Sequence, residues 1–308
     1  MWEEEIENYV EPLNLMIVDV MNLSFRYKPR ATKFTPANLE DFTEDMRSAM
    51  QIALAKMGED MLRTIYSLAK SYNVKDIILT ADWKGSKYRK ELYPEYKGNR
   101  TEKYANQTEV ASYMATEYFK ALDSAYELMQ RALPLFRFEG VEADDLAAYF
   151  TLKLKDSYPQ VWLISTDRDW VQLIDDTVSQ FSYITRKEYR LSDMFENFNV
   201  DTPQQYAMLK CLQGDSGDNI KGVQDIGPKR GYAIIKDYDS ILDLIEALPM
   251  PGKQKYIQRL NESADLLLRN YQLMDLVEFH ETAIGDDIIK THLEPFVNER
   301  KACMAELY

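Results

Sequence analysis

Short apolar runs alternate with longer amphipathic stretches along the first two thirds of the chain. Four of the runs have the length of buried strands: residues 15–19, 76–82, 135–138 and 161–167. Residues 39–72 and 108–133 carry apolar side chains at steps of three and four, which predicts helices, and Pro134 ends the second one. Residues 181–185 and 188–192 predict an antiparallel hairpin. Strands that alternate with helices indicate an α/β fold whose central sheet is mostly parallel and flanked by helices.

Beyond Asp201 the pattern is helical to the end of the chain. The stretch "DTPQQYAMLKCLQG" has Pro203 near its first turn and Gly214 as a stop signal. His280 and His292 lie in this region away from every motif, which argues against a His-based triad or a His-ligated zinc centre. We expect three parts: an N-terminal extension of residues 1–14, an α/β core of residues 15–200 and a helical region of residues 201–308.

Composition excludes several classes of protein. A hydrophobic content of 45% and an aromatic content of 12% indicate an ordered globular protein. Cys211 and Cys303 are too few for a disulfide framework or a Cys-rich zinc site. No apolar run reaches the roughly 20 residues that span a bilayer, and the acidic start "MWEEEIENYVE" differs from a signal peptide. We therefore expect no membrane partner and a cytoplasmic location.

The net charge of −14 argues at first against nucleic acid as a partner, but one segment is locally basic. The basic residues of this segment are Lys84, Lys87, Arg89, Lys90, Lys97, Arg100 and Lys103. Tyr88, Tyr93, Tyr96 and Tyr104 interleave with them, which favours a surface on which single-stranded bases stack. The alternative is a solvated loop, since most runs of charge are exposed to water.

Acidic residues stand at the ends of three predicted strands. Asp19, Asp82 and Asp167 each end an apolar run. The carboxyl ends of parallel strands meet at the sheet edge where such folds bind ligands, so these side chains are expected to lie together. Any one of them is also explained as the first residue of a turn.

A further acidic group precedes a buried helix. In "EGVEADDLAAYF", Glu142, Asp144 and Asp145 come just before an apolar run, either as helix caps or as part of a site. Three more acids bring the candidate carboxylates to nine: Asp169, Asp215 and Asp218. Oxygen ligands suit Mg²⁺ or Mn²⁺, and two such ions would balance the charge and bridge a phosphate.

Five motifs together resemble the 5′-3′ exonuclease/flap endonuclease family: "MIVDVMN", "YPEYKGNR", "GVEADDLAAY", "LISTDRDW" and "GDSGDNIKGVQDIGPKRGYAII". They occur in family order between about residue 15 and about residue 275, and the likeness is greatest to the stand-alone bacteriophage enzymes. The resemblance implies a PIN-like nuclease core, a helical arch over about residues 83–118 and a helix-hairpin-helix (H3TH) region over residues 214–237.

The resemblance also implies roles for individual residues. The first metal cluster would comprise Asp19, Asp82, Glu142, Asp144 and Asp145, and the second Asp167, Asp169, Asp215 and Asp218. Lys97 and Arg100 would be catalytic cations at the scissile phosphate, and Tyr96 would stack on a nucleobase. The arch would bind a single strand through Lys84, Lys87, Arg89, Lys90 and Lys103. The helix-hairpin-helix would bind duplex phosphates, with a potassium ion as a candidate ligand, through Gly222, Gly227, Lys229 and Arg230.

The activity that the resemblance implies is that of a structure-specific 5′ nuclease in DNA replication or repair. It would cut branched or flapped DNA with a single-stranded 5′ end by two-metal-ion hydrolysis, leaving 5′-phosphate and 3′-hydroxyl ends, and would act as a monomer. Two alternatives stay open: removal of RNA primers from RNA–DNA hybrids, and a DNA-binding relative that has lost catalysis. Val20 and Arg168 stand where family members often have glycine; Arg168 would pair with a metal carboxylate or reach phosphate.

Overall fold

A six-stranded sheet forms the centre of the protein, whose computed structural model describes residues 13–33, 36, 38–100 and 107–306. The strands are β1 (Asn14–Asp19), β2 (Val74–Thr80), β3 (Leu135–Phe136), β4 (Val161–Ile164), β5 (Val178–Ser182) and β6 (Lys187–Tyr189). They lie in the order β3–β2–β1–β4–β5–β6, and every neighbouring pair is parallel except β5 and β6. The predicted mostly parallel sheet, with its antiparallel hairpin, is confirmed.

α-Helices flank the sheet and make up the C-terminal region. Among the described residues they are α1 (Val20–Ser24), α2 (Lys28–Thr32), α3 (Glu44–Ala55), α4 (Met57–Ser71), α5 (Lys87–Leu92), α6 (Glu109–Ala132), α7 (Ala143–Leu154), α8 (Met194–Phe198), α9 (Pro203–Gln213), α10 (Pro228–Ile235), α11 (Ile241–Glu246), α12 (Lys255–Asn261), α13 (Ala264–Met274), α14 (Leu276–Ile284), α15 (Asp286–Ile288) and α16 (Glu294–Ala305). Short 3₁₀ turns cover Leu39–Asp41, Lys155–Ser157, Asp169–Leu173 and Leu191–Asp193, and Ile289–Leu293 is a π-helical turn. Within the described ranges, no helix combines the length and the apolar character needed to cross a bilayer.

Successive residues of β1 face two different layers of the core. Met16 and Val18 pack with side chains of α3, α4 and α6 on one face of the sheet. Leu15 and Ile17 pack with side chains of α7 on the other face. A parallel strand that is buried on both faces needs an unbroken apolar run, which is why residues 15–18 contain no polar side chain.

The order of the strands reverses at β1. The chain passes from β1 outward to β2 and β3, and then returns to the other side of β1 as β4. β1 and β4 pair in parallel with Ile17 opposite Leu163, so their carboxyl ends meet. In open α/β sheets the ligand crevice lies outside the strand ends at such a reversal. Asp19 ends β1 at this point, and Asp167 follows β4.

The prediction of one continuous helix over residues 39–72 is wrong. Helix α3 ends at Ala55, and α4 begins after Lys56. In the first turn of α4, Gly58 lies so close to α6 that an added Cβ would stand 3.1 Å from the Cα of Ala125. We attribute the break to this contact, since the apolar spacing continues through it. The helix predicted over residues 108–133 is confirmed as α6.

The C-terminal region begins with two helices joined by a small hairpin. Between α9 and α10, the strands β7 (Gly214–Asp215) and β8 (Ile220–Lys221) pair antiparallel. Gly214 has a φ of +70°, and an added Cβ on Gly222 would lie 2.0 Å from the carbonyl oxygen of Gln213. These two glycines allow the hairpin to close against the end of α9. Pro203 opens α9 and Gly214 caps it, as predicted.

Two predicted parts fall partly outside the described residues. Of the N-terminal extension over residues 1–14, only residues 13 and 14 are described. Of the arch over residues 83–118, residues 101–106 lie outside, and with them Lys103 and Tyr104. The described portion of this segment contains α5 and the start of α6.

Candidate active site

Five of the nine predicted carboxylates line one cavity of about 940 Å³ at the crevice of the sheet: Glu142, which belongs to a second cluster described below, and a group of four. Asp19 ends β1, Asp82 follows β2, Asp144 lies in the first turn of α7 and Asp167 follows β4. These residues are far apart in sequence, and the strand order brings them to one edge. The gathering of acids expected from the strand ends is therefore present.

Each of the four side chains is held by a short hydrogen bond. Asp19 Oδ1 accepts from the backbone N–H of Asn22 at 2.9 Å, and Asp82 Oδ1 from that of Ala143 at 2.6 Å. The indole N–H of Trp170 donates to Asp144 Oδ1 at 2.6 Å. Asp167 Oδ1 accepts from the backbone N–H of Asp169 at 2.9 Å. The turn-forming role considered for Asp19 and Asp167 is thus real. The capping role considered for Asp144 is not, because its partner is the side chain of Trp170, and Glu142 at the N-cap of α7 makes no capping hydrogen bond.

Burial and mutual repulsion dominate the electrostatics of this group. Burial is the largest cause that raises the pKa of all four carboxyl groups, and neighbouring acids raise the pKa values further. The pKa of Asp167 rises to about 6, with Asp169 as the next cause after burial. The pKa of Asp144 is raised by the charges of Asp167, Asp82 and Asp19 in turn. A positive ion placed among these side chains would relieve a large unfavourable charge.

The donor set fits a divalent cation. Within the described part of the chain, none of the four carboxylates forms a salt bridge. Over the same residues, no group of three or more His, Cys, Asp or Glu side chains is arranged so that it could hold a metal ion. Carboxylate oxygens nevertheless suit an ion that keeps several of its waters, as Mg²⁺ does. The chemistry of the residues present therefore fits the metal that the sequence predicts, while their side-chain positions do not form a ready-made ligand set.

A second cluster pairs two acids with the two predicted catalytic cations. Lys97 Nζ lies 2.6 Å from Glu142 Oε1 and 3.8 Å from Asp218 Oδ2, and an Arg100 terminal nitrogen donates to Asp218 Oδ1 at 2.8 Å. Burial would raise the pKa of Glu142, but Lys97 and Arg89 together hold it below its usual value. Lys97, Arg100 and Glu142 also line the cavity of the four carboxylates. The positive charges of Lys97 and Arg100 therefore lie at the wall of the cavity.

Tyr96 belongs to this cluster and does not have the place that the sequence predicted. The phenol is 3% exposed, and its O–H lies 2.9 Å from Glu142 Oε2 and 3.1 Å from Asp218 Oδ2. A ring enclosed in this way has no free face for a nucleobase. The stacking role expected for Tyr96 is therefore corrected. Tyr96 instead orients the carboxylates of Glu142 and Asp218 through its hydroxyl group.

A third cluster contains a cation that the sequence analysis missed. Lys210 Nζ lies 2.7 Å from Asp169 Oδ1 and 2.6 Å from Asp215 Oδ2, with its side chain 16% exposed. Burial lowers the pKa of this ammonium, but the two carboxylates raise it above the usual value. Lys210 sits in the amphipathic helix α9, four residues before Gly214, where its spacing resembles that of any surface lysine. Only the fold shows that it neutralises two predicted metal ligands.

Asp145 and Arg89 form a buried pair, which corrects two expected roles. The guanidinium of Arg89 bonds both oxygens of Asp145 at 2.7 Å, and the side chains are 4% and 0% exposed. Arg89 Nε also donates to the carbonyl oxygen of Leu273 at 2.8 Å. Asp145 therefore has no oxygen free for a metal, and Arg89 lies too deep to contact DNA. The pair joins α5 and α7 to the C-terminal helices.

The remaining basic residues of the segment are at the surface. Lys84, Lys87 and Lys90 are exposed, and Lys84 pairs with Glu139 at 3.0 Å. Arg168 is exposed as well, and no ion pair holds it in the described ranges. Two roles were expected for Arg168. The structure does not show the first of them, pairing with a metal carboxylate.

The predicted helix-hairpin-helix residues present backbone and charge to solvent. Gly227 is the residue before α10, where an added Cβ would meet no atom within 4 Å, and Lys229 and Arg230 are exposed in the first turn. Free N–H groups at a helix start attract anions, and the two cations strengthen that field. Gly222 has a different role from Gly227, because its missing Cβ lets the hairpin described above close against the end of α9.

Two family models match this chain. The model of the 5′-3′ exonuclease N-terminal resolvase-like domain matches residues 14–199. The model of the 5′-3′ exonuclease C-terminal SAM fold matches residues 201–293. Together they take in every residue of the three clusters.

Individual proteins and solved structures are also similar. The flap endonuclease of Escherichia phage T5 is 45% identical over 290 residues, which cover 93% of this chain and 92% of the phage protein. A 5′-3′ exonuclease of Buchnera aphidicola subsp. Schizaphis graminum is 26% identical over 255 residues, covering 80% and 82%. The T5 D15 protein co-crystallised with metal ions gives a TM-score of 0.78 at 43% identity, covering 95% of this chain and 98% of that one. A T5 D15 flap endonuclease pseudo-enzyme-product complex with DNA and metal ions gives 0.79 at the same identity and coverage.

Proposed function

The chain belongs to the 5′-3′ exonuclease family of phosphodiester-hydrolysing nucleases, and from this premise we propose that it is a divalent-metal-dependent flap endonuclease and 5′-3′ exonuclease. One observation carries the proposal: Asp19, Asp82, Asp144 and Asp167 line a single cavity whose wall also bears Lys97 and Arg100. Negative side chains that repel one another around a cavity are explained by cations that bind there with a phosphate. A T5 relative crystallised with DNA and metal ions supports the same assignment.

Two Mg²⁺ or Mn²⁺ ions are the proposed cofactors. The four cavity carboxylates would hold one ion, and Asp169, Asp215 and Asp218 the second, with Asp167 between the two groups. Such ions, when bound, lower the pKa of water and stabilise charge on a phosphate. Glu142 stays ionised at neutral pH, because its pKa is lowered by Lys97 and Arg89, and so keeps Lys97 directed along the cavity wall.

Lys97 and Arg100 are the proposed catalytic cations. Arg100 is 49% exposed and bonds Asp218 with one nitrogen, which leaves N–H donors for a phosphate oxygen. Lys97 is held with a φ of +55° and a backbone N–H bond to the Asp218 carbonyl at 2.9 Å, so its ammonium is placed by the main chain. Fixed donors of this kind stabilise charge that develops on the phosphate without rearranging. Hydrolysis would leave 5′-phosphate and 3′-hydroxyl ends.

Branched or flapped DNA with a single-stranded 5′ end is the proposed substrate. The exposed start of α10, with Lys229 and Arg230, would bind duplex phosphates, and a potassium ion is a candidate ligand there. Lys84, Lys87 and Lys90 would bind the single strand. A monomer that acts in DNA replication in a bacterial cytoplasm completes the proposal. RNA–DNA hybrids are the second candidate substrate, and a non-catalytic relative is disfavoured because every predicted acid is retained.

The test uses a 5′-flap DNA, a matched duplex and an RNA–DNA hybrid, each with Mg²⁺ and with chelator. Asp167→Asn should reduce flap cleavage at least a hundredfold, about 3 kcal/mol, while DNA binding in chelator stays near the wild-type value. Asp176→Asn makes the same chemical change at an exposed residue of the following loop and should cleave normally. Cleavage that survives chelation, or that Asp167→Asn leaves intact, would refute the metal site. A salt-independent affinity for DNA would refute the phosphate contacts.

A further inference from the structure

Arg137 lies on the wall of the active-site cavity, in a position that no motif of the sequence marks. It follows β3 directly, and its Nε donates to the carbonyl oxygen of Asp82 at 3.2 Å. The side chain is 28% exposed and lines the same cavity as Asp19 and Asp144. The main-chain bond therefore fixes a guanidinium beside one of the cavity carboxylates.

Two aromatic rings hold this guanidinium without neutralising it. Its central carbon lies 4.3 Å from the ring centroid of Tyr126 and 5.5 Å from that of Trp83. Cation–π contacts restrain the orientation of the group and leave its charge in place. Within the part of the chain that the structure describes, the one salt bridge of Arg137 is to Asp123 and is long at 3.5 Å. Asp123 is 67% exposed, so solvent screens this salt bridge strongly.

Most of the hydrogen-bonding capacity of Arg137 is therefore unused. A guanidinium has five N–H donors, and within the described residues only Nε has a hydrogen-bond acceptor. Among the other cations of the cavity, Lys97 and Arg100 bond acids of the second cluster and Lys84 bonds Glu139. Lys28 lies over the ring of Tyr118 and offers an ammonium group, which has no fork of donors. A fork of free donors on a rigid support matches the geometry of a phosphate oxygen pair.

We propose that Arg137 is a substrate-binding residue that holds a backbone phosphate next to the one that is cut, on the Asp82 side of the cavity. This proposal rests on the nuclease function proposed above. A nucleic-acid strand that crosses the cavity carries several phosphates past mutually repelling carboxylates, so each phosphate outside the metal ions requires its own cation. Lys97 and Arg100 serve the Glu142 and Asp218 side, and Arg137 serves the Asp82 side.

The test compares Arg137→Gln with Arg131→Gln in binding and cleavage of a 5′-flap DNA. Arg131 lies near the end of α6, is 78% exposed and does not line the cavity, so its substitution removes the same charge elsewhere. Binding is measured in chelator across a range of salt. For Arg137→Gln the slope of log affinity against log salt should fall by roughly 0.7–0.9, the loss of one phosphate contact. In cleavage, KM should rise about tenfold while kcat changes less than threefold.

The outcomes separate the two proposals. A wild-type protein that cleaves flap DNA, together with an unchanged salt slope and KM in Arg137→Gln, would overturn the role of Arg137 and leave the nuclease intact. A decrease in kcat without a change in KM would mean that Arg137 only supports Asp82, and this result would also overturn the proposed substrate-binding role. A wild type that neither binds nor cleaves flap DNA would instead overturn the nuclease proposal.

A conservative substitution covers the case in which Arg137→Gln does not fold. Arg137→Lys keeps the charge and loses the fork, so the salt slope should stay at the wild-type value while affinity falls severalfold. Wild-type affinity in Arg137→Lys would overturn a bidentate contact. Circular dichroism of each variant shows which comparison applies.

Discussion

Raising the pH in the presence of a chelator should destabilise this protein, because buried carboxyl groups of the cavity must then ionise without a compensating cation. The folded state raises the pKa of Asp167 from 3.8 to about 6, so between these values the folded protein holds a proton that the unfolded chain has released. Stability falls with pH wherever the folded state binds more protons. The contribution of protonated Asp167 to the free energy of unfolding is thus complete below about pH 4 and is lost as the pH rises through 6.

The size of the effect follows from the shift. A rise of about two pKa units corresponds to roughly 3 kcal/mol, at about 1.4 kcal/mol per unit. The pKa values of Asp19, Asp82 and Asp144 are raised for the same reasons, so they add to the loss at higher pH. Because a domain has only about 5–15 kcal/mol of stability in total, the change is readily measured.

His280 acts on the pH dependence of stability with the opposite sign. Burial is the largest cause that lowers the pKa of His280 from 6.5, so its contribution to stability grows as the pH rises. Comparison of the wild type with Asp167→Asn cancels this term, since the variant keeps His280. The two proteins should be about equally stable below about pH 4, and the variant should be about 3 kcal/mol more stable near pH 8.

Urea unfolding followed by circular dichroism, in EDTA at several pH values, measures the difference. Addition of Mg²⁺ should remove most of the pH-dependent loss in the wild type, because ion binding to the folded state replaces the lost protons. If the wild type and Asp167→Asn respond to pH in parallel, the carboxylates do not repel one another, and the explanation of the cavity as a cation site fails.

Two further predictions concern the other clusters. Asp145→Leu removes the bidentate partner of the buried Arg89 and leaves the guanidinium with the longer 3.5 Å ion pair to Glu142. It should cost about 3–5 kcal/mol in urea unfolding, whereas the double variant with Arg89→Met should recover most of that loss; a single variant of normal stability would exclude a structural pair. Lys210→Met removes the ammonium between Asp169 and Asp215, so Mn²⁺ titration followed by paramagnetic resonance should show tighter binding of the second ion. Unchanged Mn²⁺ affinity would mean that Lys210 does not compete with the metal.

The sheet and its ligand edge could be predicted from the sequence because both depend on local pattern. Runs such as residues 15–19 are apolar throughout because both faces of the strand are buried, and a terminal Asp19 then falls at the carboxyl edge. The topology places Asp167 beside it by pairing β1 with β4. Asp19, Asp82 and Asp167 could thus be predicted to lie together from the strand pattern alone.

The roles of individual residues depended on long-range contacts that no local pattern contains. Arg89 and Tyr96 belong to a basic, tyrosine-rich segment typical of a nucleic-acid surface, yet both side chains turn inward to carboxylates. Lys210 and Arg137 appeared as ordinary helix and strand-end cations, because their acidic and aromatic partners lie far along the chain. Charge in a sequence predicts that partners exist, but the fold decides which partner each charge meets.

Because the acids of the proposed reaction centre are drawn from residues as distant as Asp19 and Asp218, that centre is complete only after about two thirds of the polypeptide has been synthesised. A nascent chain that ends before Asp215 would hold its early carboxylates but lack those that close the second cluster. Nuclease activity would then appear only late in synthesis, when the tertiary structure forms. Unfinished chains would not cut the nucleic acids around them. Contacts between residues so far apart in sequence also slow folding, which lengthens the time before the chain becomes active.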